Sequence, residues 1–377
     1  MSWDVRYRHV FEYSIRTTQG IFDPENRTLA ELAGMSADAN QLLVVDEGMH
    51  AHWGDRIRAY ARAHAPRARI VTIDAVEEHK SVEAVLRIAA EADAAKIVRR
   101  SAPIVAIGGG VLTDIVGLAA SVYRRGTPYV RVPSTLIGMV DAAVGAKTAV
   151  NAHGHKNRLG TYYPASWTVI DTGLLSTVPM RHLANGVAEI IKMALVGDPE
   201  LFELLAADPG QLLRERLLTA PGREIIVKSV EGMLRELEPN LLEKDLRRLV
   251  DFGHTFSPAL ELAADSELLH GEAVAVDMAL CTVLAAGRGL VPAALRDRIL
   301  WLLQAYGLPV TVPWATADLL WAGFEDSVRH RDGAQNFVVP VGFGRADFLQ
   351  DVTRDEVVAA WQELQELTAV ESAHAYV

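Results

Sequence analysis

The chain predicts an α/β protein in two parts, a first half of parallel strands alternating with helices and a second half that is mostly α-helical. Three observations predict it. Short apolar runs alternate with longer helical periods from about residue 40, a glycine-rich turn follows one of those runs, and beyond about Thr177 long amphipathic periods take over. At 377 residues the chain is long enough to bury two separate cores.

Leu42 to Asp46 reads as a strand, followed by a helical stretch to about Ala65 that Pro66 ends. Ile70 to Asp74 is the next strand, Glu83 to Arg99 the next helix and Pro103 to Ile107 a buried strand, with the helical run Val111 to Ser121 behind it. Trp167 to Ile170 is strand-like and ends in Asp171-Thr172-Gly173. The domain boundary therefore falls between Asp171 and Pro179, dividing the chain into residues 1–175 and 176–377. In the second part, Leu183 to Val196, Arg223 to Leu237, Gly271 to Ala286 and Ala293 to Tyr306 carry the helical period.

A net charge of -11 argues against nucleic acid as the main partner, because phosphate backbones are bound by clustered Lys and Arg. A few local cations still suffice for a small anion. The one cysteine, Cys281, excludes an intrachain disulfide, and its apolar surroundings predict a buried, inert thiol. The N-terminus mixes charges early and lacks a signal-peptide core, and no run approaches the roughly 20 apolar residues of a membrane span. The expected location is the cytoplasm.

Gly108-Gly109-Gly110 lies between a strand and a helix, where backbone N–H groups can face a pyrophosphate; a plain tight turn is the other reading. The dinucleotide fingerprint is only partly met, since Thr113 stands at the third glycine position. Asp46, at a strand end, fits either a ribose contact or a helix cap. Asp114, in the first turn of a helix, is either a dipole partner or a ligand contact.

Glu189 and Lys192 project from one face of an apolar helix, as an ion pair or as site residues that need partners. His254 and His270 each sit beside a glycine, 16 residues apart, and read either as satisfied core or capping residues or as metal ligands. One carboxylate and two imidazoles suit Zn²⁺ with a coordination position left open. The connection carrying Lys147, Lys156, Asn157 and Arg158 fits either a solvated loop or a phosphate site.

These residues lie in blocks that resemble the sugar phosphate cyclases, the family that includes 3-dehydroquinate synthase. The matching blocks are Gly108 to Gly117, Arg125-Gly126, Pro133 to Leu136, Asp141 to Thr148, Lys156-Asn157, Asn185 to Lys192, Phe252 to Thr255 and His270 to Ala273. The resemblance implies a Rossmann-like NAD-binding α/β domain, a mostly helical metal-binding domain and an active site in the cleft between them. It implies Glu189, His254 and His270 as ligands of Zn²⁺, with Co²⁺ as the alternative. Asp46, Lys80, Asp114, Ser134, Thr135 and Lys156 are implied as NAD contacts, together with Gly109, Gly110 and Lys147. Asp141, Lys147, Asn157, Lys192 and Arg247 are implied in the substrate pocket. A homodimer is implied too, with Arg125 reaching a phosphate across its interface.

Departures from the dehydroquinate synthase pattern bear on the substrate. Met233 stands in place of a pocket lysine, Asp251 of an asparagine, Pro258 of a histidine, and Ser327-Val328-Arg329-His330-Arg331 of a paired-lysine segment. A pocket that loses cations fits a substrate that has lost an anion, because a buried carboxylate without its partner is costly. The expected substrate keeps its phosphate and lacks the carboxylate, as sedoheptulose 7-phosphate does. Tyr123 to Pro128, Gly154 to Tyr162 and Glu236 to Leu241 resemble the 2-epi-5-epi-valiolone synthase branch, which serves C7-cyclitol natural products. The reaction this implies is transient oxidation by NAD, β-elimination of phosphate, re-reduction and intramolecular aldol closure, with Asp251 accepting hydrogen bonds from sugar hydroxyls. The alternatives are a related cyclase making 2-epi-valiolone, desmethyl-4-deoxygadusol or an aminated-ring precursor, 3-dehydroquinate synthase itself, a metal-dependent alcohol dehydrogenase, and a nucleotide-binding scaffold without activity.

Overall fold

The computed structural model describes residues 1–8, 10–264 and 267–374 of the chain. Two compact units emerge, one of residues 1–134 and 145–171, the other of residues 135–144 and 172–377. The short segment 135–144 thus leaves the first unit and packs with the helices of the second.

The first unit is built on β1 (Ser14–Thr17), β2 (Leu42–Asp46), β3 (Arg69–Ile73), β4 (Ile104–Gly108), β5 (Tyr129–Pro133) and β8 (Trp167–Ile170), with β6 (Lys147–Ala152) and β7 (His155–Tyr162) apart. Its helices are α1 (Thr28–Leu32), α2 (Glu47–His64), α3 (Val82–Ala94) and α4 (Gly110–Val122). The six-stranded sheet runs β1-β8-β5-β4-β2-β3, and every neighbouring pair is parallel. Strands β2 and β4 are buried on both faces, which explains their unbroken apolar runs in place of the alternation of a half-exposed strand. Ile88 from α3 and Leu112, Ile115 and Ala119 from α4 close one side of that core.

The strand order reverses between β2 and β4, so their carboxyl ends open a crevice of the kind in which α/β sheets bind ligands. Asp46 ends β2 and Gly108 ends β4 at that point. A Cβ on Gly108 would lie 2.6 Å from the Leu112 side chain and 2.9 Å from the Asp46 Cβ, so only glycine lets the two strand ends and α4 meet there.

The stretch 147–162, for which a solvated loop was one expectation, is instead the antiparallel hairpin of β6 and β7. Its turn takes His153 and Gly154 to positive φ, +54° and +75°, the left-handed pair that a two-residue hairpin turn requires. Periodicity did not reveal it because every residue of β7 is exposed and no apolar face marks the strand.

The second unit is helical: α5 (Met180–Gly197), α6 (Pro199–Ala207), α7 (Pro209–Arg214), α8 (Ala220–Leu237), α9 (Ser257–Ala263), α10 (His270–Gly287), α11 (Ala293–Ala305), α12 (Ala317–His330) and α13 (Arg354–His374). A small antiparallel ribbon, β9 (Phe337–Gly342) and β10 (Arg345–Leu349), joins them. α5 and α10 pack against one another and are buried on all sides, from Leu183 to Val196 and from Gly271 to Ala285. Such all-round burial marks the centre of a helical core. Among the described residues α10 is also the one helix long and apolar enough to cross a bilayer, and 83% of it lies inside the protein.

Candidate active site

Helix α5 supplies Glu189, and α10 begins with His270; the contacts between the two helices bring these residues together. Arg181 on the first turn of α5 grips Glu272 with two hydrogen bonds, Nε to Oε1 at 2.6 Å and Nη2 to Oε2 at 2.7 Å. One turn on, Asn185 Oδ1 accepts the Gly271 amide at 2.6 Å. A Cβ on Gly271 would fall 2.0 Å from the Asn185 carbonyl oxygen, so glycine is required beside His270 for α10 to start there. Glu189 follows Asn185 by four residues, on the same face of α5.

Asp277, seven residues after His270 on the same face of α10, holds the third segment. Its Oδ2 accepts the amides of Thr255, Phe256 and Ser257 at 2.8, 2.5 and 2.8 Å, which fixes the turn carrying His254. Cys281 Sγ donates to the other oxygen at 3.1 Å. Burial and the Asp277 charge push the thiol well above its ordinary pKa, so Cys281 is the inert thiol its surroundings predicted.

The result is one cluster. Ligand-type atoms of Glu189, His254 and His270 all lie within 4.8 Å of one another, with Glu189 Oε1 3.8 Å from His254 Nε2 and 3.4 Å from His270 Nε2. Ligand atoms bound at about 2.1 Å to a tetrahedral ion stand about 3.4 Å apart, so the spacing suits a divalent cation. Both Glu189 oxygens are fully buried: Oε2 lies beside Lys192, while Oε1 faces the two imidazole Nε2 atoms at distances longer than a well-formed hydrogen bond, an arrangement that a cation among the three would complete. The residues therefore fit a bound metal.

Charges around the cluster are tightly set. Burial would raise the Glu189 pKa, but Lys192, His270 and His254 hold it well below the ordinary range. Lys192, 2% exposed, forms an ion pair with Glu189; burial would discharge it, but Glu189 and Asp141 keep it cationic. Burial, and then Lys192, push His254 down to about 4, so its ring is neutral. Burial opposes a charge on His270 as well, yet Glu261 and Glu189 carry it up to about 10, and an entering cation must displace that proton.

Beside this cluster, Asp251 is paired with two arginines. Its Oδ1 accepts from Arg248 and its Oδ2 from Arg331 at 3.0 Å, so both oxygens are already engaged by arginines. Arg331 is 8% exposed, and Met233 is buried without charge. Arg247, expected in the pocket, is exposed and stacks over the Phe348 ring at 4.5 Å; its neighbour Arg248 is the residue that reaches Asp251. Sequence reading missed Arg248 because the two arginines are adjacent and alike. Arg248 is the N-cap of the 3₁₀ turn Leu249–Asp251, with extended backbone, three residues before the Asp251 it meets.

In the first unit, Lys80 donates from Nζ to Asp114 Oδ2 at 2.7 Å and to Asn157 Oδ1 at 2.6 Å, and is itself buried. The structure thus joins two expected NAD contacts to an expected pocket residue in one triad. Burial raises the Asp114 pKa despite the Lys80 charge beside it. Asp46 is the cap of α2, its Oδ1 accepting the Met49 amide at 3.0 Å. Gly109 is the N-cap of α4 and Gly110 its first residue, so backbone donors open at the crevice. The Ser134 amide donates to the Gly108 carbonyl at 2.9 Å, while Thr135 Oγ1 accepts the Gly138 amide at 3.2 Å in the wide helical turn Gly138–Ala142 that carries Asp141. Lys147 and Lys156 are exposed on the hairpin, with the Lys147 carbonyl held by Arg131 at 3.1 Å. Arg125 is exposed in the turn after α4 with φ +62°.

A parallel sheet with a glycine-capped crevice, together with a helical unit carrying one carboxylate and two imidazoles, defines a nucleotide- and metal-type enzyme class. Residues 70–185 match the family model of the 3-dehydroquinate synthase N-terminal region and residues 186–327 that of its C-terminal region. The chain belongs to the 3-dehydroquinate synthase family, the sugar phosphate cyclases. It is 48% identical over 372 residues to a 2-epi-5-epi-valiolone synthase of Streptomyces hygroscopicus subsp. jinggangensis, covering 97% of this chain and 90% of that one. It is 37% identical over 374 residues to the demethyl-4-deoxygadusol synthase of Trichormus variabilis, covering 97% and 90%. Among solved structures, ValA, a 2-epi-5-epi-valiolone synthase from S. hygroscopicus subsp. jinggangensis 5008 with NAD⁺ and Zn²⁺ bound, matches with a TM-score of 0.92 at 48% identity, covering 97% of this chain and 99% of that one.

Proposed function

We propose that the protein is a carbon–oxygen lyase that converts sedoheptulose 7-phosphate into 2-epi-5-epi-valiolone and inorganic phosphate. The observation that carries this reading is 48% identity to 2-epi-5-epi-valiolone synthases across 97% of the chain, combined with the convergence of Glu189, His254 and His270. In this reading those three residues hold Zn²⁺ or Co²⁺, and the crevice at Asp46, Gly109, Gly110 and Asp114 holds NAD. Bound NAD and the cation supply reversible hydride transfer and polarisation of the substrate oxygens. The nucleotide is restored in each turnover, so the net change is loss of phosphate and closure of a carbocycle.

The chain's own residues bind and orient. Lys192 keeps its proton in the buried site and places a fixed positive charge next to Glu189, with Asp141 balancing it. Lys147, Asn157 and Arg125 are the donors for the phosphate, Arg125 serving the partner's site in a homodimer. Asn157 is held by Lys80 through its carbonyl oxygen, which leaves its amide N–H₂ as the donating end. Asp251 and Arg331 stand in the family's asparagine and paired-lysine positions; Asp251 pairs with both Arg331 and Arg248, Arg248 pairs also with Glu243, so two cations meet two carboxylates, and Met233 adds no charge. That balance favours a substrate without a carboxylate. A sugar phosphate substrate places the reaction in the cytoplasm.

The test is incubation of the purified protein with sedoheptulose 7-phosphate, catalytic NAD⁺ and Zn²⁺ or Co²⁺, following phosphate release and identifying the product by NMR. Phosphate release with 2-epi-5-epi-valiolone, and no build-up of NADH, is expected. A different cyclitol would assign the protein to a sister cyclase, steady NADH growth to a dehydrogenase, and turnover only of the carboxylated dehydroquinate precursor would overturn the charge argument.

A further inference from the structure

The two imidazoles of the cluster differ in what stands behind them. Each turns Nε2 toward Glu189 and uses Nδ1 on its far side. His254 Nδ1 meets the Phe252 carbonyl oxygen at 3.1 Å, whereas His270 Nδ1 meets Glu261 Oε1 at 2.9 Å. Glu261 is 9% exposed, so its charge is only weakly screened by solvent. It projects from α9, whose first residues are fixed to α10 by Asp277, and its distance to His270 is therefore set by the fold.

We propose that Glu261 is a positioning residue of the metal site: it holds His270 with the proton on Nδ1, aims Nε2 at the point facing Glu189 and makes His270 the stronger imidazole donor. The physical ground is that a carboxylate accepting the far N–H of an imidazole both fixes the ring and raises the basicity of the opposite nitrogen, more than a neutral carbonyl does. His270 is thus held between two carboxylates, while His254 is backed by a neutral oxygen. The inference rests on the metal reading above and adds to it an unequal pair of histidines, with His270 anchoring the cation and His254 completing the site.

The experiment compares the wild type with Glu261→Gln, Glu261→Ala, His254→Ala and His270→Ala, each stripped of metal and checked for folding by circular dichroism. Zn²⁺ affinity is measured by competition with a chromophoric chelator, and the visible spectrum is recorded after Co²⁺ loading. Glu261→Gln keeps an acceptor and removes the charge; about a 10-fold loss of Zn²⁺ affinity is expected, against about 100-fold for Glu261→Ala, with a shifted cobalt spectrum in both. His270→Ala is expected to lose more affinity than His254→Ala. Zn²⁺ affinities of the two Glu261 variants equal to wild type, with unchanged cobalt spectra and only a lower melting temperature of the metal-free protein, would reduce Glu261 to a brace between α9 and α10 and overturn the proposal. A wild type that binds no stoichiometric Zn²⁺ would instead overturn the metal reading, and this proposal with it.

Discussion

At the scale of the residue, Asp251 adds a negative charge to a buried place and is neutralised there. Burial would raise its pKa, but Arg248 and Arg331 hold it below the ordinary range. The stability it contributes is therefore present above about pH 4, the unfolded value, and lost as pH falls through its lower folded value. Removing one partner of a buried ion pair leaves the other uncompensated, so Asp251→Asn is expected to cost about 3 kcal/mol in urea unfolding. The double variant Asp251→Asn with Arg331→Met should lose much less than the sum of the two single changes. Additive losses would show that the pair is not coupled and would remove its part in balancing the pocket.

At the scale of the element, α10 starts with His270 and, two turns later, fixes the His254 turn through Asp277. Burial pushes the Asp277 carboxyl up to about 6, outweighing its three amide donors and Cys281. With a folded pKa above the unfolded value of about 3.9, its stabilising contribution is complete below that value and is lost as pH rises through about 6. Asp277→Asn keeps an acceptor but cannot ionise. Thermal unfolding of the metal-free proteins should therefore show the variant gaining on the wild type between about pH 4.5 and 7, by about 2 kcal/mol. Parallel curves over that range would mean that the carboxylate is ionised throughout, its amides outweighing burial.

For the whole molecule, the proposed homodimer with Arg125 acting across the interface has a direct test. Arg125→Ala and Glu189→Gln should each be inactive in phosphate release. Unfolded together and refolded as a mixture, they form hybrid dimers in which one of the two sites has both residues intact. Random pairing then restores roughly a quarter of wild-type activity. Recovery no greater than that of separately refolded variants would place Arg125 within its own chain's site or outside the site altogether.

Local pattern was enough for the strands β2, β3 and β4 and for the helices α2, α5, α8, α10 and α11, because each buries a continuous run or a face whose period shows in a dozen residues. It failed for the β6–β7 hairpin, which has an exposed second strand, and it left α12 and the β9–β10 ribbon unread. The matched blocks identified Glu189, His254 and His270 as residues worth joining, since their types and neighbours are fixed along the chain. What they could not say is that segments 65 and 16 residues apart would converge to within 4.8 Å, that Arg248 and not Arg247 would turn to Asp251, or that Glu261 would stand behind His270. Those facts belong to the tertiary structure, because side-chain periodicity encodes which face of an element is buried, whereas the meeting of α5, α9 and α10 is decided by how those faces pack.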